Sequence, residues 1–298
     1  MTEEFKHDKW KGSTYGNGWM HKWLIRMLRA INVRVLYAFT FLFIIPPTLI
    51  INRKATKATY RFYKLAFRFG WLRACWMTVK NHCAFSQVVI DKFAMYAGKK
   101  FKISISGMET FQELVNSPKG FIQLSAHIGN YELAGYSLVS KTKRFNALVF
   151  GGEKESVMHN RNKLFEANNI HMIPMQENMQ HLFTIDKALE DGEILSMTAD
   201  RVFGSQKTFI IDFFGYPAKF PQGPFILASM KEVPTLFVTV MKTGVTEYHI
   251  FIEKLVSQSG GNFKENAEKL AEKYVRSLES MVRSYPAQWY NYFNIWTN

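Results

Sequence analysis

One short segment of the chain combines residue types that can move a proton. Residues 120–136 read GFIQLSAHIGNYELAGY. An apolar strand leads to His127, Gly129 permits a tight turn, and Asn130 is a favourable cap for a helix that holds Glu132. On one continuous helix, side chains five positions apart would splay by ~140°. Across a strand–turn–helix junction they can instead meet at the carboxyl end of the strand, the edge that ligands favour in open α/β sheets.

This pair of residue types is suited to general-base catalysis. A carboxylate on one imidazole nitrogen fixes the tautomer, which leaves the other nitrogen free to accept a proton. The matching substrate is a hydroxyl or an amine that loses its proton as it attacks. Both residues also have a structural interpretation, since a Glu in a first helical turn compensates the helix dipole. The residues alone therefore leave the structural interpretation open.

Strand-like and helix-like segments alternate along the last two-thirds of the chain. Helices after most strands favour an α/β domain with a mixed, largely parallel sheet flanked by helices. We expect a basic, membrane-anchoring helical region over 1–98 and the α/β domain over 99–298. The predicted strands are Lys102–Ser106, Gly120–Ser125, Phe145–Phe150, Ile170–Pro174, Glu193–Thr198, Thr208–Phe213, Thr235–Met241 and Tyr248–Glu253. The predicted helices are Glu109–Asn116, Glu132–Ser140, Ser156–Asn168, Met179–Glu190, Gly223–Lys231 and Asn262–Ser284.

The positive charge of the protein is confined to its N-terminal third. The 298 residues carry 38 Lys and Arg against 24 Asp and Glu, a net charge of +14. Residues 1–100 hold 18 basic and 4 acidic residues, and the remainder holds 20 of each. This asymmetry argues against nucleic acid as a partner, because the folded module would then carry the basic surface. It indicates an N-terminal segment that meets something anionic.

An apolar run in this region predicts attachment to a membrane. The 17 residues Val35–Ile51 contain no charge and would form a helix roughly 25 Å long, somewhat short of the ~30 Å hydrocarbon core. Pro46 and Pro47 are expected to break or kink it near its C-terminal end. Basic residues flank both ends, so a single span and an interfacial dip both fit.

The next segment predicts a second contact with lipid. Apolar residues from Phe62 to Trp76 recur at helical spacing, and Lys57, Arg61, Lys64 and Arg68 run beside them. A basic face next to an aromatic stripe suits a helix lying at an anionic lipid surface. The alternative is an ordinary amphipathic helix packed on the domain with its basic side in solvent.

Three motifs resemble, in order, those of one enzyme family. HIGNYE at 127–132 resembles the His-x4-Asp/Glu motif of the lysophospholipid acyltransferase superfamily, in the form typical of its lipid A late acyltransferase branch. DRVFGSQKTFIIDFFGYPAKFPQGPFILA at 200–228 resembles that branch's Asp-led turn, its strand ending in Phe-Phe-Gly and its Pro/Gly-initiated helix. YPAQWYNYFNIW at 285–296 is similar to its Pro-x-Gln-Trp segment. With the basic N-terminus, the resemblance covers nearly the whole chain.

The resemblance implies roles for individual residues. His127 would be the general base on the acceptor, and Glu132 its orienting partner. Arg161 matches the family's arginine between these blocks and would bind a donor or acceptor phosphate or support the developing oxyanion; a solvated helix position is the alternative. Asp200 and Arg201 follow a predicted strand and could line the same cleft, although Asp200 could equally be a turn residue.

Four residues in the second motif are expected to shape the substrate site rather than react. Gly223 starts a helix whose N-terminus could hold a phosphate. The remaining three are expected to form a wall of the acyl tunnel; they are Phe213, Phe214 and Gly215.

The resemblance implies a membrane-bound acyltransferase at the cytoplasmic face of a Gram-negative inner membrane. The implied donor is acyl carrier protein, or else acyl-CoA, and the acceptor is a lipid hydroxyl or amine. Because carrier proteins are acidic, Arg61, Lys64 and Arg68 are expected to serve as their dock. No metal and no organic cofactor is needed for this reaction.

One departure from the family pattern affects the acceptor. Residues 290–294 carry no basic side chain where lipid A enzymes commonly place one, so an amino-acid lipid or another envelope lipid rivals a lipid A precursor. Two other functions stay open: a non-catalytic lipid-binding or transport protein on the same fold, and a hydrolase of lysolipids or thioesters in which the same base activates water.

Overall fold

A long apolar helix, α1, leads into the folded domain. In the computed structural model it comprises an α-helical part Val33–Phe39, a π-helical turn Thr40–Ile44 and a second α-helical part Ile45–Ile51. The structure describes residues 23, 26–138, 140, 142–149, 169–175, 179–202, 207–256 and 260–297. The expected break at Pro46 and Pro47 does not occur: both lie in the first turn of the second α-helical part, where a backbone N–H is dispensable.

Helix α1 lies lengthwise on helix α3, Trp71–Tyr96, and runs antiparallel to it. The Tyr37 hydroxyl donates to the Asp91 carboxylate, and the hydroxyls of Thr40 and Ser86 lie 3.4 Å apart. Only 6% of the most apolar window of Val33–Ile51 is buried, and the helix is long and apolar enough to cross a membrane by length and composition. One side of α1 therefore packs on the protein, and most of its surface is exposed apolar side chain.

The predicted stripe from Phe62 to Trp76 is divided between two helices, which corrects the expectation of one continuous helix. Helix α2, Arg53–Ala66, ends before a turn in which Arg68 has a φ of 52°. Phe62 is buried in the core, whereas Leu72 and Trp76 are 65% and 59% exposed. The packed-helix interpretation therefore holds for Phe62, and only the α3 part of the stripe faces outward.

The central sheet is mixed and mostly parallel, as the sequence predicted. The strands of the protein are β1 Lys102–Ser106, β2 Phe121–Ser125, β3 Phe145–Val149, β4 Ile170–Pro174, β5 Ile194–Thr198, β6 Thr208–Phe213, β7 Tyr216–Pro221, β8 Thr235–Lys242 and β9 Glu247–Leu255. Seven of them form the central sheet in the order β1-β9-β8-β2-β5-β3-β4, with β8 and β9 antiparallel and the other neighbouring pairs parallel. Strands β6 and β7 form a separate hairpin, of which the sequence predicted only the first strand.

Helices cover both faces of this sheet. One core cluster joins residues of α2 and α3 to the C-terminal helix and the β6–β7 hairpin, and a second lies under the helices Met108–Asn116 and Tyr131–Ser137. A third, smaller cluster joins the start of α1 to the end of α3. The predicted helix over 156–168 lies outside the described residues. The remaining helices are α4 Met108–Asn116, α5 Tyr131–Ser137, α6 His181–Glu190, α7 Gly223–Lys231 and α8 Phe263–Ser284.

Candidate active site

His127 lies in the loop after β2, the middle strand of the sheet, and the C-terminal segment holds this loop in place. The backbone N–H of Gly129 donates to the carbonyl of Gln288 at 2.8 Å. The carbonyl of His127 accepts from the backbone N–H of Tyr290, also at 2.8 Å. These two backbone hydrogen bonds join the His127 loop to the C-terminal segment in the manner of paired strands. The side chain of His127 is 16% exposed.

Gly129 brings this loop into direct contact with strand β8. Its φ is +55°, and a Cβ placed there would lie 1.9 Å from the carbonyl oxygen of Val240. The same carbonyl accepts from the backbone N–H of Asn130 at 2.7 Å. No side chain fits at Gly129 unless the loop that carries His127 moves.

Gly129→Ala should therefore destabilise the protein by about 1–3 kcal/mol, since the left-handed conformation and the clash both penalise the added methyl. Thermal unfolding measures this effect. Gly70→Ala is the matched control, because a Cβ there meets nothing within 4 Å. Equal unfolding temperatures for the two variants would contradict this description of the loop.

Asp200 is the carboxylate that binds the His127 side chain. Imidazole Nδ1 lies 2.7 Å from Asp200 Oδ1, and the backbone N–H of His127 donates to Oδ2 at 2.9 Å. The indole Nε1 of Trp289 donates to the same Oδ2 at 3.1 Å. Asp200 is 3% exposed, so hydrogen bonds from within the protein satisfy both oxygens of this carboxylate and fix its orientation.

The electrostatics of this pair fix the tautomer of His127. Burial alone would raise the pKa of Asp200, but His127 and the Arg201 guanidinium lower it to about 2. Its ionised form stabilises the fold above its ordinary pKa of ~3.9, and that contribution is lost as the pH falls towards the folded value. Because an ionised carboxylate only accepts hydrogen bonds, Nδ1 carries a proton and Nε2 is the nitrogen available to substrate.

Glu132, the acidic residue of the HIGNYE motif, is paired with a lysine from α3. Its Oε1 lies 2.7 Å from Lys92 Nζ, and both side chains are largely buried. Helix α5 begins at Tyr131, next to Glu132; Asn130 precedes it as predicted, but its side chain makes no capping hydrogen bond. Asp200 thus holds the position on Nδ1 that the resemblance implied for Glu132.

The C-terminal segment supplies residues for which no individual role was predicted. Trp289 holds Asp200, and the Gln288 side chain makes two hydrogen bonds to the backbone of Lys242 at 2.9 and 2.8 Å. Asn81 of α3, 1% exposed, donates to the carbonyls of Ala287 and Trp289 at 3.1 and 2.8 Å. The Pro-x-Gln-Trp motif was a signal for the first two residues, whereas no sequence pattern marks Asn81.

Arg201 and Phe213 lie around the same pair. Arg201 Nη2 donates to the carbonyl of Tyr290 at 2.6 Å, and its guanidinium stands 5.4 Å from the ring of Phe293. The ring of Phe213 is fully buried and lies 5.3 Å from the ring of Trp289. His127, Asp200, Arg201 and Phe213 are therefore brought together through the C-terminal segment.

The other expected substrate-binding residues occupy different places. Phe214 and Gly215 form the tight turn of the β6–β7 hairpin with φ values of 59° and 82°, and Phe214 packs on Phe62 with their rings 5.7 Å apart. Gly223 starts α7 and is exposed. Arg161 lies outside the described residues. Among the described residues, no group of three or more His, Cys, Asp or Glu side chains could hold a metal ion.

Comparison with known proteins identifies the family. No curated protein matches the chain in sequence. The family model described as bacterial lipid A biosynthesis acyltransferase matches residues 89–297, which include His127, Asp200 and Trp289. Because this match spans well over half of the sequence, the chain belongs to the bacterial lipid A biosynthesis acyltransferase family and is an acyltransferase.

Proposed function

We propose that this acyltransferase uses His127 as the general base on the acceptor and Asp200 as the residue that orients it. The observation that carries the proposal is the hydrogen bond of 2.7 Å between Nδ1 and the buried Asp200 carboxylate. It gives His127 one protonated nitrogen turned inward and one basic nitrogen for substrate, as a base requires.

The reaction follows from that arrangement. His127 Nε2 accepts the proton of the acceptor hydroxyl or amine as this group attacks the thioester carbonyl of the donor. A tetrahedral oxyanion forms and collapses, the bond to sulfur breaks, and the imidazolium returns its proton to the thiolate. Asp200 stabilises the transient imidazolium without itself taking a proton. The acyl group thus moves from the donor sulfur to the acceptor, and one proton moves from the acceptor to the thiolate.

The remaining candidate residues receive supporting roles. We propose that Glu132 acts through its ion pair with Lys92 and holds the first turn of α5 beside the acceptor. Arg161 would bind a substrate phosphate or the oxyanion. Phe213, Phe214 and Gly215 are proposed as a wall of the acyl site, and Gly223 as part of its rim.

The acceptor belongs to the lipid A type, and we propose acyl carrier protein as the donor, with acyl-CoA as the competing choice. The equal numbers of acidic and basic residues in 101–298 favour, among glycolipids of this type, an acceptor that carries few phosphates. An amino-acid lipid is the competing acceptor.

The test is the release of free thiol from acylated acyl carrier protein and from acyl-CoA by the purified protein, with and without a lipid acceptor. We expect release that depends on the acceptor and yields one acylated lipid for each thiol. Equal release without an acceptor would identify a thioester hydrolase instead.

Charge reversal should reveal where the donor docks. Arg61, Lys64 and Arg68 are all exposed on or just after α2. The triple change to Glu should raise the KM for acyl carrier protein by at least about tenfold at low salt, because exposed charges steer acidic partners. Lys264→Glu and Lys269→Glu on α8 are controls. A KM that is unchanged, or that does not respond to salt, would rule out this dock.

The family is typically membrane-associated, and α1 suits that location. We propose that the protein sits at the cytoplasmic face of the inner membrane of a Gram-negative bacterium. The lengthwise packing of α1 on α3 favours a helix lying at the membrane surface over one that crosses it, since α3 also carries the C-terminal segment of the active site.

A further inference from the structure

A groove between α1, α2 and α3 has the composition of a lipid site. Its volume is about 540 Å³, within the ~300–1,000 Å³ range of small-molecule sites. Arg53, Lys57 and Tyr60 line it from α2. Leu49 lines it from α1, and Cys75 and Val79 line it from α3. Cations thus stand along one wall and apolar atoms along the other two.

The residues repeat at helical spacing on both long walls. Arg53, Lys57 and Tyr60 are spaced four and three residues apart. On α3, Leu72, Cys75, Trp76 and Val79 are at positions i, i+3, i+4 and i+7, so each set occupies one helix face. Leu72 and Trp76 are exposed and extend the apolar wall outward.

The charge around the groove is of one sign. The sequence contains no Asp or Glu between Asp8 and Asp91, so neither α1 nor α2 offers an acidic partner. The Nε of Arg53 donates to the carbonyl of Ile50 at 3.3 Å, which turns this side chain back towards the end of α1. Arg53 and Lys57 are both exposed. An anionic group is the ligand that such a wall attracts.

The groove is separate from the active site. It lies on the side of α2 away from Phe62, whose ring packs 5.0 Å from that of Trp289. At the end of α1 beside the groove, Ile50 and Ile51 are 64% and 77% exposed. The groove therefore lies next to exposed apolar side chains of α1.

We propose that this groove binds one anionic phospholipid of the bilayer, with its phosphate on Arg53 and Lys57 and an acyl chain against Leu49, Cys75 and Val79. Membrane attachment, part of the proposed function, supplies the lipid. The site fixes the depth and rotation of the protein at the membrane, and it takes no part in acyl transfer.

Cysteine protection in detergent micelles tests the site without a bilayer. In Cys83→Ala the sole remaining thiol is Cys75, an exposed residue in the groove. Its alkylation by a maleimide is followed with phosphatidylglycerol or phosphatidylcholine added to the micelles. When the concentration of phosphatidylglycerol is ten times its dissociation constant, the fraction of protein with an empty groove should fall about tenfold, and the rate of Cys75 alkylation should fall with it. Phosphatidylcholine should change this rate little.

Two variants complete the experiment. The double variant Arg53→Gln, Lys57→Gln should abolish the protection of Cys75. The control Lys264→Gln, Lys269→Gln removes the same amount of charge from α8 and should retain the protection. Equal protection by the two lipids, or protection that survives the first double variant, would overturn the proposal. Acyl transfer is assayed on the same samples, so failure of the catalytic proposal appears as a separate result.

Discussion

His127→Gln should lower kcat for acyl transfer by about 10²–10⁴-fold, the usual contribution of a positioned base. Gln keeps an N–H donor within reach of the buried Asp200 carboxylate, so the partner of the imidazole need not be left without a hydrogen bond. The loss therefore reports the missing base rather than a damaged fold. Initial rates of acceptor-dependent thiol release measure it.

A second histidine serves as the control for this change. His171 on β4 pairs with Asn146 through its Nδ1, 3.1 Å from the amide oxygen, and His171→Gln should leave kcat within about twofold, as for a change outside the site. A His127→Gln variant that retained more than half of the wild-type kcat would refute the base assignment.

Asp200→Asn should reduce kcat by about 10³–10⁴-fold, because a neutral amide in this position can bind the wrong tautomer of His127. The variant also removes the negative charge that stabilises the imidazolium. The acid limb of kcat/KM against pH should consequently move to lower pH. In the wild type Asp200 itself does not produce that limb, because its pKa is lowered to about 2.

The matched comparison is Glu132→Gln, which removes the other acid near the motif. Because Glu132 bonds to Lys92, we expect its loss to weaken acceptor binding and raise KM while the acid limb stays in place. If the acid limb of kcat/KM moved in Glu132→Gln and stayed in place in Asp200→Asn, Glu132 and not Asp200 would be the residue that orients His127.

The sequence marked both members of the proposed catalytic pair as candidate residues but did not predict that they pair with each other. His127 and Asp200 each come two residues after a strand end, and in the register Ser125 lies opposite Thr198. Their meeting depends on β2 and β5 being neighbours, which strand order alone decides. Glu132 stands five residues from His127, so local spacing favoured it over an aspartate much further along the chain.

The N-terminal helices show a different limit of the sequence. Periodicity from Phe62 to Trp76 continues across the turn at Arg68, because two successive helices happen to keep the same spacing. On α3, Asn81 binds the C-terminal segment and Lys92 binds Glu132. Each contact is made by one side chain, and no local sequence pattern distinguishes these two residues from the other polar residues of the helix. By contrast, the strands of the central sheet were predicted nearly to their ends, because the inner strands are largely buried and rich in apolar residues.

Lipid mass spectrometry of the native host most directly tests whether this chain acylates a lipid through His127. The gene is deleted and then restored as wild type or as His127→Ala, with expression checked for both. We predict that deletion removes a single acyl chain from one lipid class and that only the wild type restores it, which also reveals the acceptor and the chain length. Full restoration by His127→Ala would contradict the mechanism proposed for this site.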